Sequence, residues 1–174
     1  MIPILLALTF IAIIFIVVVA GQPCEFKVSR SAKIAAPPEK IFPHVNDLHL
    51  WQAWSPWAKM DPNSKSTFTG PVSGIGSAMA WAGNRQVGEG KMTITDSQPF
   101  QSIHLRLEFL KPMTATNMAE FSFKPDGGGT SVTWAMAGKN NFMGKIFGLF
   151  VNCDQMVGGQ FEKGLASLKL IAES

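Results

Sequence analysis

Cysteine is almost missing from this chain: Cys24 and Cys153 are its only two. Two thiols make neither a disulfide framework nor a four-ligand zinc site. Tyrosine is absent altogether, which removes the phenolic acid that many active sites use. Charge is sparse, with 16% Asp, Glu, Lys and Arg and a formal net charge of +3 over 174 residues. No dense Lys/Arg run occurs, so a nucleic-acid partner is not expected. The three histidines, His44, His49 and His104, lack metal-ligand spacing. No nucleophile–base pair stands out, and Gly74-Ile75-Gly76 lacks the strand–helix context of a phosphate loop. These patterns call for no metal, no cofactor and no catalytic residue. Internal repeats and low-complexity segments are also missing.

What is plentiful is apolar surface, at 47% of residues. Ile2 to Ala20 is almost purely apolar, and no charged side chain occurs before Glu25. About 20 such residues just span a bilayer core of about 30 Å, so residues 2–20 are expected to be a membrane anchor. A cleaved signal peptide is the rival reading, because Val18-Val19-Ala20 resembles a small-residue cleavage site. Against it, no Lys or Arg precedes the apolar core, and Pro23-Cys24 fits a lipoprotein cleavage box poorly. Lys27, Arg30 and Lys33 lie just past the anchor. By the positive-inside rule they place the domain of this single-pass protein in the cytoplasm, with the strand edge touching anionic headgroups. The expected divisions are residues 1–21 as anchor, 22–25 as linker and 26–174 as one domain, a length that suits a single full core.

The domain opens with period-two alternation: Phe26, Val28, Ala32 and Ile34 against Lys27, Ser29, Ser31 and Lys33, with Arg30 interrupting the apolar side. Pro38 and Glu39 favour a helix start, and Pro43 shortens or bends that helix. A second short turn covers Asp47 to Ala53. Strands are expected over Ser77 to Ala82 and Val87 to Thr95, with a bulge or bend at Gly88 and Gly90. The clearest half-buried strand alternates Ile103, Leu105, Leu107 and Phe109 with His104, Arg106 and Glu108. Ala119 to Phe123 and Val132 to Met136 alternate likewise, joined by the hairpin signal Asp126-Gly127-Gly128-Gly129. There is no βαβ alternation, so the class is α+β with an antiparallel sheet.

From Asn141 to Ile171, apolar residues recur at helical spacing: Phe142, Ile146, Phe150, Val157, Phe161, Leu165 and Leu168. They predict one amphipathic helix roughly 45 Å long at 1.5 Å per residue. Such a helix needs a broad concave partner, and a curled sheet of six to seven strands could supply it.

These stretches together resemble the SRPBCC superfamily, also called START-like or polyketide cyclase/dehydrase-like. The resemblance runs through Ala36-Pro37-Pro38-Glu39-Lys40-Ile41-Phe42, Trp51-Gln52-Ala53-Trp54-Ser55-Pro56-Trp57, Ser73-Gly74-Ile75-Gly76, Trp81-Ala82-Gly83-Asn84, Thr130-Ser131-Val132-Thr133-Trp134 and Gly159-Gln160-Phe161-Glu162-Lys163-Gly164-Leu165. It covers Glu25 to about Ile171. It implies a helix-grip fold with a deep cavity between sheet and helix that takes hydrophobic ligands such as lipids, sterols or polyketides. It does not transfer the cyclase activity.

The residues expected around such a cavity are Trp54, Trp57, Met79, Trp81, Phe109, Phe121, Trp134, Met136, Phe150 and Asp154. Rigid indole rings give large apolar contact at low entropic cost, and methionine adapts to varied ligands. The tryptophans could equally fix the helical segment to the sheet. Asp154 interrupts an apolar helix, where a carboxyl near a cavity would act as a polar anchor or proton carrier. A solvated helix face is its plainer reading. Gly158-Gly159 costs helix stability, which close packing or a kink would explain. The function expected first is a membrane-anchored module for a small hydrophobic ligand, lipid-like or polyketide-like. A cyclase- or hydratase-like enzyme using the same cavity is the second reading. A protein-interaction module with a filled cavity is the third.

Overall fold

A computed structural model describes residues 2–174, apart from the side chains of Ile2, Leu5 and Ala7. The chain begins with helix α1, Ile2–Ala20, and passes through a short linker into strand β1, Glu25–Ile34. Helices α2 (Pro38–Asn46), α3 (Trp51–Trp54) and α4 (Pro56–Met60) follow. Six strands come next: β2 (Lys65–Thr69), β3 (Ala78–Ala82), β4 (Glu89–Gln98), β5 (Ser102–Lys111), β6 (Ala115–Asp126) and β7 (Gly129–Lys139). Helices α5 (Phe142–Phe150) and α6 (Cys153–Glu173) close the chain.

The seven strands form one sheet in the order β1-β7-β6-β5-β4-β3-β2, antiparallel at every pairing. Alternation drives this arrangement. In β7, Thr130, Val132, Trp134 and Met136 are buried while the residues between them are not, so one face meets the core and the other meets solvent. Gly127 and Gly128 both have positive φ, at 54° and 86°. That pair is the requirement of the tight turn joining β6 to β7. Register shifts at Glu89/Gly90 and Ile94/Asp96 in β4 bend the sheet around the core. Strand β2 is an addition to the strands expected from sequence, its alternation running over only five residues.

The expected single long helix is two helices. Val151 turns extended, and Asn152 caps α6 through a bond from the Gln155 backbone N–H at 3.1 Å. Only α6 is gripped: Phe161, Leu165, Leu168 and Ala172 are buried against the sheet, while α5 buries no residue. The apolar stripe crosses this break, but only its α6 part is buried.

α6 is fastened along β1. The Glu173 carboxylate accepts from the Ala35 backbone N–H at 2.6 Å, and Lys169 donates to the Lys33 carbonyl at 3.0 Å. Near its start, Arg30 donates to Asp154 at 2.8 Å and to Glu162 at 2.7 Å. The guanidinium lies against Gly158, where a Cβ would meet it. Close approach is therefore the reason for Gly158. Gly159 faces open space and has no such explanation.

Among the described residues, no helix is long and apolar enough to cross a membrane. The stretch of α1 in which every side chain is described runs only from Leu8 to Ala20.

Candidate functional site

The inner face of the sheet and α6 do not close completely. A cavity of about 200 Å³ lies between them. Strands β3, β4, β5, β6 and β7 contribute Met79, Trp81, Met92, Leu107, Phe109, Ala119, Trp134 and Met136. The helices contribute Trp51, Trp57, Val157 and Phe161. The polar groups on its wall are few: Gln52, Ser55, Ser64 and Ser66. Gln52 is already engaged, donating to the Ser66 hydroxyl at 3.1 Å. At this volume the cavity is smaller than the roughly 300–1,000 Å³ of drug-sized sites.

Trp134 is the centre of the wall. Its ring stacks on Phe161 at 4.1 Å and on Phe121 at 4.8 Å, and meets Trp54 and Trp57 edge-on at 5.6 Å each. Three of the other indoles are fixed by their N–H groups. Trp51 donates to the Val45 carbonyl at 2.9 Å, Trp54 to His44 at 2.9 Å and Trp81 to Val87 at 3.3 Å. These bonds lock α3 to the end of α2 and lock the β3–β4 turn over the wall. Buried indoles ordinarily find such a partner.

Six of the ten residues singled out from sequence meet at the cavity: Trp57, Met79, Trp81, Phe109, Trp134 and Met136. Trp54 and Phe121 are fully buried in the packed core beside it. The remaining two require correction. Phe150 lies at the end of α5, 78% exposed and away from the sheet. Asp154 sits in the first turn of α6 and faces Arg30, with more than half of its side chain exposed. The hydrogen bond from Arg30 holds the Asp154 carboxyl below its usual range, although partial burial opposes this. The same bond, with that of Glu162, raises the Arg30 guanidinium further. Asp154 is thus an ionised strut between β1 and α6.

This strut has a pH signature. Its folded pKa lies below the unfolded value, so its stabilisation is present above the ordinary carboxylate range and lost as pH falls through the folded value. Asp154→Asn should lower the melting temperature at neutral pH. The two proteins should converge in strongly acidic buffer, as paired thermal scans would record. The pair is partly exposed, so the expected difference is modest.

Asn117 went unnoticed in the sequence. It is buried on β6, its amide N–H lies 3.9 Å from the Met136 sulfur, and its side-chain oxygen is the one buried side-chain acceptor without a partner among the described residues. The signal was available: an amide at an inward position of an alternating strand. No metal-binding cluster of His, Cys, Asp or Glu occurs among the described residues.

The cavity has a direction. Glu25, Ala82, Glu89, Lys111, Ala115 and Lys139 mark one end of the sheet, by the register of its pairs. Trp81, Val87 and Phe109, all half-buried, lie at that end. So do the exit of α1, the whole of α5 and the start of α6.

An antiparallel sheet closed by a C-terminal helix, with an apolar cavity between them, defines the helix-grip class of α+β proteins. Residues 25–173 match the family described as polyketide cyclase / dehydrase and lipid transport, and the chain belongs to that family. Solved structures share the fold. Protein CV1439 from Chromobacterium violaceum aligns with a TM-score of 0.61 at 13% identity, over 88% of this chain and 99% of that one. The Aha1 dimer from Colwellia psychrerythraea aligns at 0.61 and 16% identity, over 85% and 96%. DynU16, a protein in the dynemicin biosynthetic locus, aligns at 0.57 and 11% identity, over 85% of this chain and 47% of that one. At these identities the likeness shows the fold alone. No curated protein matches the sequence at a significant level.

Proposed function

We propose that this protein is a membrane-tethered binding module for a small hydrophobic ligand, held between the sheet and α6. The observation that carries the reading is the apolar cavity, walled by rigid rings and three methionine side chains and left open inside an otherwise packed core. A volume of about 200 Å³ suits a small ring system or one end of a longer amphiphile. Ser55 and Ser64 on the wall offer hydroxyls to such a ligand. The family's lipid and polyketide chemistry agrees with this class.

The tether is α1. It has 19 residues and is apolar on all sides, as a helix surrounded by lipid must be. At 1.5 Å per residue it reaches about 28 Å, close to the thickness of a bilayer core. Lys27, Arg30 and Lys33 beyond it favour the cytoplasmic face by the positive-inside rule. The anchor, linker and domain divisions at residues 1–21, 22–25 and 26–174 belong to the same proposal. A cyclase- or hydratase-like use of the cavity rests on the family alone, since Asp154 is engaged outside the wall.

Four of the five tryptophans, Trp51, Trp57, Trp81 and Trp134, line the cavity, which makes it directly observable. A brominated medium-chain fatty acid added to the full-length chain in nanodiscs should quench tryptophan emission with saturation. Quenching that rises linearly with the probe and never saturates would sink the reading.

A further inference from the structure

Helix α5 is built inside out. Phe142, Met143, Phe147 and Phe150 are 53%, 56%, 41% and 78% exposed. With Ile146, they occupy a single arc of roughly 140° at 3.6 residues per turn. The rest of the helix carries Gly144, Lys145, Gly148 and Leu149, which, with the edge of Phe150, line an open groove of about 530 Å³ shared with Gln22, Pro23 and Glu25. The helix is thus held by Lys145 and by the asparagines at its start, and its aromatic side is largely exposed.

The mounting fixes its level. Lys145 donates to the Ala20 carbonyl, the last residue of α1, at 3.1 Å. Asn140 donates through its backbone to the Cys24 carbonyl at 2.8 Å and through its side chain to Pro23 at 3.3 Å. Asn141 caps the helix, accepting from the Gly144 N–H at 2.8 Å. A nine-residue helix that buries nothing is too short to hold itself together in water. Something must cover the aromatic face, and α5 stands at the foot of an apolar helix that itself calls for lipid.

We infer that α5 is an interfacial helix, its Phe142/Met143/Ile146/Phe147/Phe150 face embedded at the headgroup–acyl boundary of the bilayer that α1 enters. Lys139, exposed just before α5, supplies an ammonium group that can meet anionic headgroups. The domain is then held at two points, α1 and α5, which fixes its tilt. The end of the sheet bearing Trp81, Val87 and Phe109 is set toward the membrane, so an amphiphile could pass from lipid to cavity without a path through water. The inference depends on the anchor reading only for which bilayer α5 meets, and it stands apart from whether the cavity binds.

The test uses the full-length chain with Cys24→Ser and Cys153→Ser, in vesicles containing one-third anionic lipid. A single cysteine carrying an environment-sensitive fluorophore is placed by Phe147→Cys, Phe150→Cys or, as a far-end control, Leu170→Cys. Lipids brominated just below the headgroup should quench positions 147 and 150 at least about threefold more than position 170, as burial of 5–10 Å into the boundary requires. Equal quenching at all three positions overturns the inference, whether a second copy or water covers the face. Alkaline carbonate extraction of the same vesicles reads α1 alone. A chain that resists extraction but shows no differential quenching keeps the anchor and loses the interfacial helix. A chain that is extracted, yet showed the quenching beforehand, does the reverse.

Discussion

Trp134→Ala is expected to cost about 3–5 kcal/mol of folding stability, the range for deleting a fully packed large aromatic side chain. The ring is 3% exposed and is sandwiched between Phe121 and Phe161, with Trp51, Trp54 and Trp57 against its edges. Its loss removes dispersion contacts on both faces and joins the new void to the existing cavity. Neighbouring rings cannot collapse into the gap, because Trp51 and Trp54 are tied by their N–H groups to backbone carbonyls of α2. Urea unfolding of the full-length chain, followed by far-UV circular dichroism, should show a large drop in midpoint with the slope unchanged. Trp134→Phe should recover a good part of the loss. A change under about 1 kcal/mol for the alanine variant would mean that the aromatic stack is not the keystone of the core.

Ala119→Phe should abolish ligand retention while leaving the fold in place. Ala119 is 4% exposed, lies opposite Leu105 and Met136 in the sheet, and forms part of the cavity wall. A benzyl group there enters a space of about 200 Å³ and competes directly with any occupant. Bound ligand should fall at least tenfold, equivalent to about 1.4 kcal/mol of lost binding. Overpacking elsewhere in a core costs about 1–3 kcal/mol; here the void should absorb most of the ring, and Ala119→Leu should absorb with less strain. Melting temperature and extracted ligand, measured on the same preparations, separate the two effects. If ligand persists at the wild-type level in a folded Ala119→Phe protein, the occupant sits elsewhere.

The sheet was legible because apolar and polar residues alternate strictly along its longer strands. Ile103 to Phe109 and Val132 to Met136 present a buried face only when paired in this register. Strand β2 escaped notice because Lys65–Thr69 is short, mostly exposed, and carries a single large apolar residue, Phe68. The cavity residues on strands were legible for the same reason as the strands. Phe150 and Asp154 were misplaced by a shared cause: helical periodicity continues across Val151 and Asn152, where the backbone does not. An N-capping asparagine followed by an acid in the first turn, Asn152 and Asp154, was the local sign of a new helix. Arg30 gave a second sign. A cation on the apolar side of β1 demands an anionic partner, and Asp154 with Glu162 supplies it. Nothing in the linear pattern told that the aromatic face of α5 would turn outward, since exposed and gripped amphipathic helices share one spacing.

The most direct test of a ligand-binding cavity is the native mass spectrum of the full-length chain released from nanodiscs, followed by organic extraction of whatever it carries. A ligand-binding cavity should give a defined adduct of one small apolar molecule per chain, lost in Ala119→Phe. A clean mass for the chain alone, unchanged after incubation with membrane lipids, would contradict it.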